Sequence, residues 1–365
     1  MTLAPCFVFA LGDVIAGRPD GSECRRYAEA VLGLFAQRGE RVMSGSVVLV
    51  TGAAGFIGSH VAQALLARGD DVVGVDNFDT FYGRSIKSRN LDDLKSVTEG
   101  GRFDFHELDI CDESGFASLV ASRKPSGIIH LAAKAGVRPS IEDPTGYARS
   151  NVMGTSSVQR AAELHGVERL VVASSSSVYG NNDRVPFSED DIVDAPISPY
   201  AATKKACELI GHTHWHLTQM PTAMLRFFTV FGPRQRPDLA ISKFMRAIHG
   251  GQPITMFGDG STSRDYTFID DIVAGVLAAY DRIDTFGYRI WNLGGDHPIR
   301  LDELIAKIGS VVGKDPVIES HPMQPGDVER TWADITRSER DLGYAPTTSI
   351  EQGLEQQWAW LRDRL

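Results

Sequence analysis

The sequence has few cysteines and no excess of basic residues. Its 365 residues include four cysteines, Cys6, Cys24, Cys111 and Cys207, whose spacing matches no metal-binding pattern. Scattered cysteines of this kind are typical of a reducing compartment, and we expect a cytoplasmic protein. The formal net charge is -10, whereas binding to nucleic acid needs a basic face, so we expect no nucleic-acid partner.

Long uncharged apolar runs, internal repeats and low-complexity tracts are also missing from the sequence. A membrane-spanning helix needs about 20 consecutive apolar residues, and no run of that length occurs, so we expect no membrane partner. The composition is 42% hydrophobic and 23% charged. These values are typical of a globular protein with one large domain or two coupled ones.

The first 42 residues differ from the sequence that follows. They contain an apolar stretch that is interrupted by Asp13 and has no basic leader, which is unlike a signal peptide. An amphipathic helical pattern covers residues 27–35. Met43 stands directly before a typical first strand, so we expect residues 1–42 to be an extension produced by a start assigned too early. A genuine added helix is the alternative.

After Met43, short apolar segments alternate with helical stretches. Six segments are predicted to be strands, at residues 46–51, 71–76, 103–110, 126–133, 168–175 and 222–228. A long helix is predicted over about 144–165. This alternation predicts an α/β fold with a doubly wound, mostly parallel Rossmann sheet.

A smaller second lobe is predicted toward the C-terminus. We expect residues 43–232 to form the Rossmann domain, because the regular pattern breaks at about residue 233, where Pro and Gly become frequent. Residues 233–265 and 297–365 then form a partly discontinuous α/β lobe for the substrate. Residues 266–296 are expected to return to the main sheet.

A glycine-rich turn lies between the first predicted strand and the first helix. Gly52, Gly55 and Gly58 have the spacing G-x-x-G-x-x-G, with Phe56 and Ile57 between the last two glycines. Glycines permit a tight turn and let backbone amides approach a pyrophosphate at the helix N-terminus. The sequence therefore predicts a dinucleotide site, and the alternative is a glycine turn that only packs a helix on a strand.

The end of the second predicted strand indicates which dinucleotide is bound. Asp76 stands there, and a carboxylate at this point accepts hydrogen bonds from the adenosine ribose and repels a 2′-phosphate. This favours NAD over NADP. Asp109 and Ile110, at the predicted end of the third strand, are expected to lie beside the adenine, with a plain strand-end turn as the alternative.

Tyr200 and Lys204 lie one helical turn apart, after a strand that ends in Ser175. A lysine ammonium beside the phenol stabilises the phenolate and lowers its pKa. Tyr200 can then take a proton from a substrate alcohol while a hydride passes to NAD. One Tyr-x-x-x-Lys pair is usually an accident of helix composition, but its place beside a dinucleotide site favours the catalytic interpretation.

These residues closely resemble the extended short-chain dehydrogenase/reductases, the sugar-nucleotide epimerases and dehydratases, from about residue 46 to the C-terminus. The resemblance implies that Tyr200 is the proton acceptor and that Lys204 activates it and binds the nicotinamide ribose. It implies that the Ser175 hydroxyl meets the reacting sugar oxygen. It also implies a homodimer formed through the two long helices on the outer face of the sheet.

Five stretches resemble the UDP-glucuronate 4-epimerases in particular: "DNFDTFY" at 76, "HLAAKAGVRPSIEDP" at 130, "LRFFTVFGPRQRPDLA" at 225, "RDYTFIDD" at 264 and "MQPGDVERTWADI" at 323. Dehydratases of the family carry an acid pair where this chain has Ser176 and Ser177, so dehydratase activity is not expected. One departure is "GPRQRPD", a loop that also occurs in relatives acting on neutral sugars.

The resemblance also assigns residues to the nucleotide part of a substrate. Arg264 is expected to meet the diphosphate, Asp327 the uridine ribose and Thr229 the nucleotide. For Arg264 the alternative is a surface salt bridge to Asp265 or Asp270.

The sugar end of the substrate is expected to meet Arg236, just past the sixth predicted strand. A guanidinium can offer two parallel hydrogen bonds to a C6 carboxylate. Arg234 is expected to be a solvated loop charge. Arg138 and Ser176 are further expected substrate contacts, and an ion pair with Glu142 is the alternative for Arg138.

Three histidines, His212, His214 and His216, stand in "HTHWH" on a predicted helix. Histidines at positions i and i+4 share a face and could bind a metal, but no third ligand is evident. We expect them to be structural and expect no metal site.

The sequence thus predicts an NAD-dependent 4-epimerase of a UDP-sugar that converts UDP-glucuronate to UDP-galacturonate through a transient 4-keto intermediate. A UDP-glucose 4-epimerase and a UDP-glucuronate decarboxylase remain as alternatives. A different kind of alternative is an inactive, NAD-sensing binding protein, and the intact Ser175, Tyr200 and Lys204 argue against it.

Overall fold

A computed structural model of the chain describes residues 45–97, 100–322 and 328–365. The expected N-terminal extension and Asp327 lie outside the described residues. Within the described ranges, none of the helices combines the length and the apolar character that crossing a bilayer requires.

The strands begin close to where the sequence predicts them. They are β1 (Val47–Thr51), β2 (Asp71–Asp76), β3 (Phe103–Glu107), β4 (Gly127–His130), β5 (Arg169–Ser175), β6 (Thr222–Phe227), β7 (Thr229–Phe231), β8 (Ile254–Phe257), β9 (Ser263–Phe268), β10 (Tyr288–Leu293), β11 (Pro298–Arg300) and β12 (Ile318–His321).

Helices connect most of these strands. They are α1 (Phe56–Arg68), α2 (Arg84–Lys95), α3 (Glu113–Arg123), α4 (Val137–Glu142), α5 (Pro144–Tyr147), α6 (Gly154–Leu164), α7 (Pro199–Thr218), α8 (Ala240–His249), α9 (Ile269–Arg282), α10 (Leu301–Val312), α11 (Thr336–Leu342) and α12 (Ile350–Arg362). A π-helical turn (Ala148–Met153) joins α5 to α6, and short 3₁₀ turns cover Ser176–Tyr179 and Ile283–Thr285.

Seven parallel strands form the central sheet, in the order β10-β6-β5-β4-β1-β2-β3. The strands are apolar along their length because helices bury both faces of the sheet. On one face α1 and α9 pack with residues such as Leu65 and Ile272, and on the other α3 and α6 pack with Phe116 and Val158. The predicted doubly wound fold is confirmed. Its strand order reverses between β1 and β4, which is where such sheets bind ligands.

The second lobe is built from two small sheets. One has the order β11-β9-β7 and the other pairs β12 with β8. Its segments are interleaved with the main sheet, because β10 returns to pair with β6 along residues 288–293. This return strand was predicted from the apolar stretch at 288–295.

Two local predictions were wrong. The third strand ends at Glu107, not at residue 110, because the Asp109 carboxylate accepts a hydrogen bond from the Cys111 amide (2.9 Å) and forms a turn. The helix predicted over 144–165 is interrupted by the π-helical turn. There the Asn151 side chain bonds both backbone groups of Lys134, at 2.9 and 3.0 Å, and so ties this turn to the segment after β4.

Candidate active site

A cleft of about 340 Å³ follows the carboxyl ends of the central strands. Thirteen of the residues singled out from the sequence line it: Gly52, Gly55, Phe56, Ile57, Gly58, Asp76, Asp109, Ile110, Ser175, Tyr200, Lys204, Thr229 and Arg236. The fold therefore brings the glycine turn, the Tyr-x-x-x-Lys helix and the loop after β7 to one site.

The glycine turn is packed so closely that side chains do not fit. Gly52 has a φ of 73°, and a Cβ on Gly58 would lie 2.0 Å from the Gly52 carbonyl oxygen. Gly55 precedes α1 and provides no side-chain cap, so amides of the first turn of α1 can bind an anion. This arrangement fits the pyrophosphate of a dinucleotide.

Asp76 ends β2 inside the cleft and is paired with a residue that the sequence analysis missed. Its Oδ1 accepts hydrogen bonds from the Phe78 amide (2.8 Å) and from Lys87 Nζ (3.1 Å). Both contacts use Oδ1, so Oδ2 can accept a ribose hydroxyl. Lys87 lies on α2, eleven residues after Asp76 in the chain, and no local sequence pattern connects the two.

Tyr200 lies in the first turn of α7, which has well-defined N-terminal capping. Ser198 caps the helix by accepting from the Ala201 amide (3.1 Å), and Pro199 occupies the first turn. One turn later, Lys204 is buried and its Nζ donates to the Ala173 carbonyl (2.8 Å) of β5. The helix thus presents phenol and ammonium to the same cleft.

Ser175 ends β5 next to this helix. Its Oγ accepts a hydrogen bond from the Ser177 amide (3.1 Å), which holds the side chain at the start of the 3₁₀ turn. The hydroxyl proton can then be donated toward the cleft. Ser176 and Ser177 line an adjoining cavity instead.

A buried ion pair beneath the cleft fixes α7 to the sheet. Glu208 accepts from Arg226 Nε (2.8 Å) and Nη2 (2.9 Å), and from Ser174 Oγ (2.7 Å). Burial acts to raise the pKa of Glu208, but the hydrogen bonds and charge of Arg226 outweigh it and hold that pKa below its ordinary value. The pair, together with Ser174, connects α7 to β5 and β6.

His130 ends β4 beneath the cleft and is kept neutral. Burial, together with the positive charge of Lys204, lowers its pKa to about 3. Its ring nitrogens contact Thr51 Oγ1 (2.7 Å) and Thr155 Oγ1 (3.1 Å), so both are satisfied without a charge. A neutral imidazole adds no repulsion to the buried Lys204.

Arg236 lines the cleft on the side of the second lobe. Its Nε and Nη2 donate to the two carboxylate oxygens of Asp238, at 3.0 and 2.7 Å. The guanidinium carbon lies 4.8 Å from the centre of the Phe81 ring. The side chain is 16% exposed, so it is positioned within the cleft and not on a solvated loop.

A second cavity of about 190 Å³ adjoins the cleft, and Thr229 lines both. Arg264 lies in this cavity with Ser176 and Ser177. Its guanidinium donates to the backbone carbonyls of Ser263, Val328 and Glu329, at 2.9, 2.6 and 3.2 Å. The two cavities therefore meet at Thr229.

Arg138 and Arg234 are not among the residues that line the cleft. Arg138 is exposed on α4 and lies 5.0 Å from the centre of the Phe257 ring of β8, so it connects the two lobes. The expectation that Arg234 is solvated was wrong. It is 8% exposed and donates to Gln63 Oε1 of α1 at 2.8 Å, because α1 packs against the loop after β7.

His212 and His214 of α7 have different neighbours. His212 packs edge-on against Tyr288, with ring centres 5.1 Å apart, and lies beside Trp215. His214 Nε2 lies 3.9 Å from Glu163 Oε2. Within residues 45–97, 100–322 and 328–365, no group of three or more potential ligands is placed to hold a metal ion.

Comparison with known proteins gives a family match over most of the chain. The family model described as GDP-mannose 4,6 dehydratase matches residues 49–357. A UDP-glucuronate 4-epimerase of Thermodesulfobacterium geofontis is 41% identical over 318 residues, which cover 87% of this chain and 96% of that protein.

Solved structures are similar over the same part of the chain. A UDP-glucuronic acid 4-epimerase from Bacillus cereus, in complex with UDP-glucuronic acid and NAD, superimposes with a TM-score of 0.82 at 35% identity and covers 87% of this chain and 100% of that one. A UDP-glucose 4-epimerase from Thermotoga maritima, with UDP-glucose, gives 0.79 at 30% identity and covers 87% and 99%.

Proposed function

This chain belongs to the family described as GDP-mannose 4,6 dehydratase, within the extended short-chain dehydrogenase/reductases, and we propose that it is an NAD-dependent 4-epimerase of UDP-glucuronate and UDP-galacturonate. The observation that carries the proposal is the meeting of Ser175, Tyr200 and Lys204 with the glycine turn in one cleft. Similarity to epimerases that bind UDP-glucuronic acid and NAD supports it.

The residues of the cleft fit NAD. The amides at the start of α1 suit its pyrophosphate, Asp76 suits the adenosine ribose, and Lys204 suits the nicotinamide ribose. When bound, NAD supplies the acceptor and donor for the hydride of the sugar C4.

The chain's own residues handle the proton of the reaction. Tyr200 takes the proton of the sugar O4 as C4 is oxidised and returns it when C4 is reduced from the opposite face. Lys204 lies one helical turn along α7 and lines the same cleft, where its ammonium is placed for the nicotinamide ribose. The Ser175 hydroxyl donates a hydrogen bond to the sugar oxygen and keeps it within reach of the phenol.

A dehydratase reaction is not supported by the site, although the family model carries that description. Loss of water from C6 needs a general acid beside the sugar. Ser176 and Ser177 stand after the catalytic serine and line the cavity that adjoins the cleft. Neither hydroxyl can serve as a carboxylic acid, so the site supports epimerisation.

Arg236 is the proposed contact for the C6 carboxylate. A guanidinium has five N–H donors. Asp238 accepts from two of them, the N–H at Nε and one of the two N–H groups at Nη2. The donors at Nη1 and the second one at Nη2 remain for a substrate carboxylate. Holding this carboxylate also opposes decarboxylation of the β-keto acid that forms when C4 is oxidised. Arg138, Ser176, Thr229, Arg264 and Asp327 stay predicted contacts for the rest of the substrate.

The test is to incubate the purified protein with UDP-glucuronate and, separately, with UDP-glucose, and to identify the products by NMR. We expect UDP-galacturonate from the first and at most slow turnover of the second. Faster conversion of UDP-glucose would identify a neutral-sugar epimerase. Release of a pentose product with CO2 would identify a decarboxylase.

We also propose a homodimer formed through α6 and α7. Leu164 of α6 and Leu209 and Leu217 of α7 are 53%, 58% and 75% exposed, which is unusual for large apolar side chains on neighbouring helices. A cytoplasmic location is proposed with it, since Cys111 and Cys207 carry free thiols.

A further inference from the structure

The segment between β2 and α2 crosses the cleft and carries two aromatic residues that the proposed function leaves unexplained. Phe81 and Tyr82 both line the cleft, and each is partly buried. Side chains within the segment shape its backbone, because Asn77 Oδ1 accepts from the Asp79 amide (2.9 Å) and Asp79 Oδ1 accepts from the Phe81 amide (3.0 Å).

The segment is anchored at its start. Phe78 is buried and packs edge-on against Phe105, with ring centres 5.7 Å apart. Asp79 Oδ2 lies 4.0 Å from Lys134 Nζ, on the segment after β4. Contacts with β3 and with the segment after β4 therefore hold the aromatic residues that follow in place at the cleft.

Tyr82 lies against the turn that suits the pyrophosphate. Its hydroxyl lies beside this turn, because a Cβ on Gly55 would be 3.7 Å from the phenol oxygen. Lys87 Nζ lies 5.2 Å from the centre of its ring. A phenol hydroxyl carries a proton that it can donate to a phosphate oxygen bound at this turn.

Phe81 contacts the loop after β7. The Arg236 guanidinium lies over its ring at 4.8 Å, a favourable cation–π arrangement. A Cβ on Gly136, after β4, would lie 3.7 Å from the Phe81 ring. This short segment thus contacts Arg236, the proposed partner of the sugar carboxylate, through Phe81, and the proposed pyrophosphate site through Tyr82.

We propose that Phe81 and Tyr82 form an aromatic clasp that retains the dinucleotide through Tyr82 and positions Arg236 for the sugar carboxylate through Phe81. The inference rests on the proposed function in taking NAD as the dinucleotide. An epimerase must reduce the same sugar that it oxidised, so the cleft must stay closed through the keto stage. A clasp connecting both ends of the site meets this need.

Tyr82→Phe and Phe81→Leu test the two halves of the clasp. Each purified protein is loaded with NAD and desalted, and the NAD that remains bound is measured over time without any sugar. We expect Tyr82→Phe to release NAD about three- to tenfold faster than wild type, the effect of one hydrogen bond. Phe81→Leu should instead raise KM for UDP-glucuronate more than for UDP-glucose, because it frees Arg236.

Tyr280→Phe is the matched control. Tyr280 is buried, and its hydroxyl lies 3.4 Å from Ser126 Oγ, near the amino end of β4 and away from the residues that line the cleft. NAD release equal to wild type in Tyr82→Phe, with an unchanged Tm, would overturn the clasp. Equal acceleration in Tyr280→Phe would overturn it as well, since the effect would then be general. A wild-type protein that holds no NAD would refute the proposed cofactor together with the clasp, whereas retained NAD with unaffected variants refutes the clasp alone.

Discussion

Tyr200, the proposed proton acceptor, lies in the cleft close to Lys204 and Tyr147. Its phenol shares the cleft with Lys204, and its ring lies edge-on to Tyr147, with centres 6.1 Å apart. The phenol and the ammonium therefore meet the same space at the carboxyl end of β5.

Tyr200→Phe keeps the ring and removes the proton acceptor. We expect kcat for UDP-glucuronate to fall at least about a hundredfold, the lower end for positioned acid–base groups. Binding of the UDP-sugar, measured by calorimetry, should persist, because the nucleotide contacts lie elsewhere. Tyr280→Phe serves as the control, and near-normal turnover by Tyr200→Phe would contradict the mechanism.

We expect the cofactor preference to depend on Asp76 and Lys87, which form an ion pair in the cleft. We expect wild type to prefer NAD, and Asp76→Ala to narrow the preference, because it removes a carboxylate and leaves the Lys87 ammonium available to a 2′-phosphate. The double variant Asp76→Ala with Lys87→Met should bind NADP more weakly than Asp76→Ala. Kd values for both cofactors check this, and tighter NADP binding by wild type would disprove the interpretation of Asp76.

His130 makes the fold sensitive to acid. Its folded pKa of about 3 lies below the ordinary value, so the unfolded chain binds the proton more readily and stability falls as the pH drops below about 6.5. Between pH 7 and pH 5 we expect His130 to account for about 2 kcal/mol of lost stability. Denaturant unfolding of wild type and His130→Asn at both pH values measures it. An equal pH dependence of the two proteins would refute the assignment.

At the scale of elements, α7 is held in position at its start and at its middle. Ser198 and Pro199 define where it begins, while the Glu208–Arg226 pair anchors its middle to β6. Both partners of the pair are 1% exposed. Removing one partner would leave a buried charge, which typically costs about 3–5 kcal/mol. Such a pair gives the catalytic helix one position relative to β5.

We propose that the choice of sugar depends on the loop after β7, which carries Arg236. Arg236→Ala should weaken the use of UDP-glucuronate by about 2–4 kcal/mol of transition-state binding, because a carboxylate is left unpaired. It should leave slow UDP-glucose activity nearly unchanged and raise CO2 release. Values of kcat/KM for both sugars measure this.

Arg300→Ala is the control for the Arg236 variant. Arg300 pairs with Asp302 at the same spacing and with the same two distances, 3.0 and 2.7 Å, but its side chain is 55% exposed. It should have no effect on either sugar. Equal losses on both sugars in Arg236→Ala would show that Arg236 is structural and would favour a neutral-sugar epimerase.

At the scale of the whole molecule, the exposed leucines of α6 and α7 lie on the outer face of the sheet. Large apolar side chains that are exposed on neighbouring helices are most simply covered by a second copy of the chain, since a symmetric interface matches a patch with itself. The catalytic helix would then contribute its outer face to the dimer and its N-terminal turn to the active site.

Leu209→Arg places a charge in this surface. We expect the wild type to be a dimer and the variant to be a folded monomer, measured by size-exclusion chromatography with light scattering and by circular dichroism. Ile192→Arg is the control, because Ile192 is 84% exposed and belongs to neither helix. A monomeric wild type, or an unchanged dimer in Leu209→Arg, would contradict the proposal.

The sequence by itself determined the features that depend on short spacing. Strand and helix periods predicted the parallel sheet, the glycine spacing predicted the turn before α1, and the four-residue interval predicted that Tyr200 and Lys204 share a face. Each of these follows from backbone geometry within one or two elements. The resemblance of five short stretches to one family added the substrate class.

Only the tertiary structure decided which distant residues meet. Lys87 pairs with Asp76, Arg226 with Glu208, and Phe81 with Arg236, across 11, 18 and 155 positions of the chain. The same packing buried Arg234, which sequence reasoning left in solvent. Such contacts depend on how whole helices and loops are placed against the sheet, and this placement results from many buried apolar contacts that no local spacing records.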